Sequence, residues 1–240
     1  MIYEYDGSFM GFLTVIFQGY KHLLDCKIEP ETDQMVMDFD RVRISTNMEE
    51  AKRVEKGIKE RFSPSFFHSI SVAFRSHEEE KEETIARTIR KMYAYGENFL
   101  YSSDGDAAKF LGLEKSVYRE VHTYMGLLRF QEIQEGYFYA PFRPKNQILD
   151  LLFPHFVHRL PKEKFMIHDV GREICGIYED GQKDFFLVED LHIQGTEEEE
   201  FYQKAWQTFY DHIAIEARKN PKRMMGHMPK FRWEFLPERK

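Results

Sequence analysis

Between residues 127 and 190 the spacing of apolar residues changes period twice, and this limits the available folds more than any other feature. LLRFQEI and YFYAPF have the composition and alternation of half-buried strands, and they flank Gln134-Glu135-Gly136, a glycine-containing hairpin turn. In KNQILDLLFPHFVHRL the apolar positions Ile148, Leu151, Leu152, Phe156 and Leu160 recur at helical spacing, with Pro144 at the approach and Pro154 expected to kink the helix. KFMIHD, REICGIYED and DFFLVED then return to strand character, the first two separated by Val170-Gly171. The order strand, strand, helix, strand, strand, strand predicts an antiparallel sheet with helices segregated to one face, an α+β arrangement.

Upstream the pattern is mostly helical. MIYEYDGSF reads as a short strand broken at Asp6-Gly7, with Ser8 or Asp6 capping a helix that carries Phe9, Phe12, Leu13, Ile16, Phe17, Tyr20, Leu23 and Leu24 on its core face. A strand is expected around Val42 to Ile44, followed by a helix that opens with a Thr46-x-x-Glu49 capping box. Residues 48 to about 113 read as predominantly helical, and KSVYREVHTYMG as a further helix. Near the C-terminus Phe201, Ala205, Trp206, Phe209, Ile213 and Ala217 form a helical stripe that stops at Asn220-Pro221. With no linker, repeat or low-complexity tract, residues 1–240 are expected to form one α+β domain. Its helical N-terminal lobe, about 1–113, would pack with a small antiparallel sheet lobe and a C-terminal helix, about 114–240.

Function classes narrow by exclusion. No apolar run reaches the length of a membrane span and no basic region precedes the first apolar stretch, so no membrane association and a cytoplasmic protein are expected. Cys26 and Cys175 are too few for a disulfide framework or an iron–sulfur cluster, so no cofactor is expected and any cluster would belong to a partner. HExxH, CxxC, GxSxG, P-loop and GxGxxG patterns are absent. His155 and His158 lie three apart on one helix without a third ligand at a diagnostic spacing, so they read as a polar helix face and no metal site is expected.

A net charge of −7 argues against a protein that coats nucleic acid, yet the charge is unevenly placed. From residue 218 onward eight basic residues stand against Glu234 and Glu238, a local net of +6 that leaves −13 for the rest. There Met224, Met225, Met228 and Trp233 would anchor the segment, while Arg223, His227, Lys230 and Arg232 would face a phosphate backbone or an acidic protein. Arg129, Arg143 and Lys145 flank a hairpin rich in Phe130, Tyr137, Phe138, Tyr139 and Phe142, a combination suited to single-stranded or flipped-out nucleotides. Most of those rings are expected to face the core, as aromatics in antiparallel sheets do. At the strand end His168, Asp169 and Arg172 could bind phosphate or shuttle a proton, against the plainer reading of a turn in which Asp169 bonds its own backbone.

Several motifs in order carry a resemblance across nearly the whole chain: YDGSFMGFLTVIF, EVHTYMGLLRFQEI, YFYAPFRPKNQILDLLFPHFVHRL, FMIHD with Arg172, FYQKAWQTFYDHIAI and NPKRMMGHMPKFRWEFLPE. The chain resembles a bacterial family of DNA metabolism proteins built on a domain of unknown function that also occurs fused to a uracil-DNA glycosylase-like domain. One departure is Arg232, where relatives tend to place an aromatic residue directly before the Trp. The resemblance implies a role in DNA repair or modification beside a radical S-adenosylmethionine (SAM) protein that carries its own iron–sulfur cluster. It supplies no catalytic residues. Two functions are therefore expected: a DNA-binding or adaptor component using Arg129, Arg143, Arg172, Arg223, His227, Lys230 and Arg232, or a DNA- or nucleotide-processing enzyme with His168 and Asp169 as catalytic groups and Arg172 as a binding group.

Overall fold

The computed structural model describes residues 1–32, 40–134, 136–188, 191, 197–213, 222, 225, 226 and 228–237. The fold is α+β, with a helical lobe, a small mixed sheet lobe and a C-terminal helix, and the chain divides into two compact units, residues 1–118 and 119–240.

In the first unit β1 (Ile2–Tyr5) turns through Gly7, whose φ is +76°, into α1 (Phe9–Gln18). Ser8 caps the helix by accepting from the Gly11 N–H, while Asp6 accepts from the Ser8 N–H at 3.0 Å and the Thr46 hydroxyl at 2.6 Å. A Cβ on Gly11 would meet Asp6 Oδ1 at 2.2 Å and Thr46 Oγ1 at 2.7 Å, so this motif requires glycine there. Because Asp6 engages Thr46, the expected capping box gives way to Asn47, whose Oδ1 accepts from the N–H groups of Glu49 and Glu50 at the start of α2 (Met48–Arg61).

The lobe also contains a parallel sheet in which the two expected strands, β1 and β3 (Arg41–Arg43), are joined by β2 (Lys27–Pro30), which the sequence pattern does not reveal; β1 lies between the other two. β2 buries Ile28 alone, so its four residues carry no alternation to read. Around the sheet run α3 (Pro64–Phe74), α4 (Lys81–Tyr95) and a 3₁₀ turn (Glu97–Tyr101), with Tyr5, Phe12, Phe66, Ile70, Ile85, Ile89 and Phe110 in the core. KSVYREVHTYMG proves to be the later part of one 23-residue helix, α5 (Gly105–Leu127), and the division between the units falls within it.

The second unit carries a five-stranded sheet ordered β4-β5-β6-β7-β8: Gln131–Gln134, Tyr137–Phe142, Lys164–Asp169, Ile174–Glu179 and Gln182–Leu187. The sheet is mixed rather than wholly antiparallel, since β5 and β6 pair in parallel. The cause is α6 (Leu149–Arg159), which lies between them and supplies the crossover that parallel neighbours need. On that face Phe153 packs on Phe165 and Phe185, and Phe156 on Phe130, with ring centroids 5.1–5.4 Å apart. Beyond the sheet, α7 (Glu197–Ile213) follows the expected helical spacing, but Phe201, Ala205 and Trp206 are exposed rather than buried. Among the described residues no helix is long and apolar enough to cross a membrane.

Candidate nucleic-acid interface

Pro144-Lys145-Asn146, the link from β5 to α6, is held by opposite charges on its two kinds of backbone group. Glu120, buried on α5, accepts from Lys145 N at 3.1 Å, from Asn146 N at 2.8 Å and from Asn146 Nδ2 at 2.6 Å. Arg172 donates to the carbonyls of Pro144, at 3.2 Å, and Lys145, and to Asp169 Oδ2 at 3.0 Å. Asp169 also accepts from the backbone N–H groups of Gly171 and Arg172, the turn expected for this sequence. Its burial raises its carboxyl pKa, opposed by the Arg172 guanidinium.

The C-terminal segment folds back onto this link. A 3₁₀ turn, Lys230–Phe235, is fixed by the buried Leu236, by Trp233 Nε1 donating to Met228 O at 2.9 Å, and by Arg143 pairing with Glu234 at 3.2 Å. Arg232 reaches Glu120 at 3.4 Å and lies over Tyr124 and Phe231 at 5.3 and 5.1 Å from the ring centroids. Tyr124, its phenol pKa raised by burial, donates in turn to the Arg143 carbonyl at 3.0 Å.

Two ammonium groups complete the surface. Lys145 Nζ stands 5.2 Å from the Phe231 ring and Lys230 Nζ 6.0 Å from the Trp233 ring. Both lysines are exposed, as is Phe231 at 45%, and among the described residues neither ammonium has a carboxylate partner. The crevice beneath, lined by Arg129, Pro141, Phe142 and Phe235 among others, encloses about 10 Å³. That holds about one water molecule at most, so the arrangement is a surface for contact and not a pocket that engulfs a base.

Arg143, Asp169, Arg172 and Arg232 gather around one link; Arg129, which donates to the carbonyls of Gly126 and Leu128, lines the crevice, and Lys230 stands beside Trp233. Arg223 and His227 lie outside the described residues. His168 is not brought to the others. Neighbours on a strand point to opposite faces, and His168 turns to Tyr139, whose hydroxyl lies 2.8 Å from its Nδ1. Burial lowers the His168 pKa and raises that of Tyr139 to about 12 and Cys175 to about 12. In all three groups burial favours the neutral form.

Sequence reasoning missed Glu120, Tyr124 and Glu234. The available signal was Glu120 and Tyr124 four apart in EVHTY, but a buried carboxylate on a helix resembles a surface one until its partners are known. Among the described residues no group of three or more His, Cys, Asp or Glu side chains is placed to hold a metal.

A model of the domain of unknown function DUF4130 matches residues 79–238, about two thirds of the chain. The chain belongs to the DUF4130 family. The DUF4130 match takes in the whole charged cluster, from Glu120 through Arg232, and begins after β1 to α3. The chain matches no curated protein and no solved structure.

Proposed function

We propose that this DUF4130 protein is a DNA-binding component of bacterial DNA repair or DNA metabolism, acting beside a radical SAM protein that carries its own iron–sulfur cluster. The observation that supports the reading is the pair Lys145 and Lys230, exposed ammonium groups without a carboxylate partner among the described residues, the first beside the half-exposed Phe231 and the second beside Trp233. Arg172 and Arg232 act as struts, since each is engaged by a buried carboxylate, and Arg143 is shared with Glu234. Two lysines and an accessible ring suit the backbone and a base face of a single strand, held without base-edge readout. The small crevice and the separation of His168 from Asp169 favour binding over turnover.

The test is fluorescence anisotropy of a labelled single-stranded oligonucleotide. The full chain should bind at low salt, and replacing Lys145 and Lys230 by Ala should weaken binding at least tenfold. An absence of binding at low ionic strength removes the proposal. The partnership is tested by co-purification with the radical SAM protein before and after nuclease treatment, where DNA bridging predicts loss of the partner on digestion.

A further inference from the structure

A second surface lies within the first unit, built from residues the DNA-binding reading does not use. At the N-terminal end of α3, beside the 3₁₀ turn Glu97–Tyr101 and α5, a groove of about 280 Å³ opens over Phe62, Phe66, Met92 and Leu100. Its rim carries Tyr101, 88% exposed, and Leu111, 42% exposed. A tyrosine left this bare next to an aliphatic side chain and an open apolar groove is an unusual use of surface for a soluble domain. The volume suits one large side chain rather than a cofactor, and a thioether in the floor adapts to the shape of what enters.

The charges of the lining select the occupant. Glu97, exposed, and Glu114, held by the Ser69 hydroxyl at 2.8 Å, are the charged residues of the lining; no Lys or Arg is among them. The remaining side-chain polar groups are hydroxyls, that of Tyr101 and those of three serines, of which Ser63 already accepts from Phe66 N at 3.1 Å as the cap of α3. An apolar floor bordered by two carboxylates repels nucleic acid and acidic peptides, and matches an apolar anchor flanked by Lys or Arg.

We infer that this groove docks a cationic amphipathic segment of a partner protein, seating one large apolar side chain over Phe66 and Met92 while flanking basic residues pair with Glu97 and Glu114. The chain then carries two separate contacts of opposite sign, a cationic one for DNA in one unit and an anionic one for protein in the other.

The test uses the full chain with labelled Met and Leu methyl groups and three short synthetic peptides, one of Lys, Leu and Trp, one of Glu, Leu and Trp, and one of Lys and Ser. The first should shift the methyl signals of Met92, Leu100 and Leu111 on binding, and the other two should not. Glu97→Lys and Leu111→Ser, both at exposed positions, should each weaken that binding at least tenfold while thermal unfolding stays unchanged. Equal binding of the acidic peptide, shifts confined to other methyl groups, or undiminished binding by both variants would overturn the inference.

Discussion

Arg232 and Glu120, separated by 112 residues of chain, meet with Nη2 and Oε1 3.4 Å apart, and the contact ties the C-terminal segment to the last turns of α5. The distance is long for a charge-assisted hydrogen bond, whereas the three N–H donors from Lys145 and Asn146 lie at 2.6–3.1 Å from the same carboxylate. Glu120 therefore serves first as the acceptor for the β5–α6 link, and Arg232 balances its charge. In the described part of the basic segment, Arg232 is thus held by its own unit.

The two ends of this contact should differ in cost. Glu120→Ala leaves buried N–H groups without an acceptor and is expected to lose about 3–5 kcal/mol, while Arg232→Ala removes a long ion pair and two ring contacts and should lose about 1–2 kcal/mol. Urea unfolding of both variants and of the double variant should give less than the sum, since the groups share a partner. Equal losses for the two single variants would mean that Arg232, not the link, is what Glu120 stabilises.

The same cluster shows how far the sequence could be read. Arg143, Arg172 and Arg232 were legible as a set of cations, whereas the order of strands predicts an antiparallel sheet although α6 is the crossover that lets β5 and β6 pair in parallel. The carboxylate partners of the cations were not legible, because no local spacing joins Glu120 to Arg232 or Arg143 to Glu234. His168 and Asp169 show the opposite case: adjacent in sequence, they turn to different partners, Tyr139 and Arg172, across the pleat of the strand. In α7 the helical period was plain, but period alone does not say that a stripe is covered, and Phe201 and Trp206 remain exposed.

Stability should fall on mild acidification because of His168. Its pKa is lowered by burial, opposed by the nearby carboxylates of Asp169 and Glu173, so the unfolded chain binds the proton more readily. The imidazole's contribution is complete above about pH 6.5 and is lost as pH drops toward the folded value. Asp169, raised by burial, has the opposite sign and acts nearer the carboxylate range. His168→Gln should flatten the fall in Tm between about pH 6.5 and 5. An identical fall in this variant would assign it to another group.

Gly176 on β7 should not tolerate a methyl group. A Cβ there would lie 2.6 Å from Phe153 Cε2 and 2.9 Å from Phe185 Cε1. Phe185 stands at the sheet edge and can yield, but Phe153, on α6, is fully buried against Phe165. Gly176→Ala is expected to cost about 1–3 kcal/mol in urea unfolding. Adding Phe153→Leu should cost less in the Gly176→Ala background than in the parent protein; equal costs would show that the methyl group is accommodated elsewhere.

The contribution of charge at the proposed DNA surface can be separated from that of the aromatic ring through salt dependence. Each phosphate neutralised on a single strand adds about 0.7 to the slope of log affinity against log salt, so loss of Lys145 and Lys230 together should reduce that slope by about 1.4. Arg232→Ala should change it less, because Glu120 and Glu234 already balance the nearby guanidinium groups of Arg232 and Arg143. Phe231→Ala removes a stacking face worth about 1–3 kcal/mol per base and should lower affinity while leaving the slope in place. The measurement is a titration of each variant with a labelled single-stranded oligonucleotide at several salt concentrations, with a duplex of the same sequence as control. A slope unchanged in the Lys145→Ala, Lys230→Ala protein would place the phosphate contacts away from this surface, and loss of slope in Phe231→Ala would mean that the ring acts by holding Lys145 in position rather than by stacking on a base.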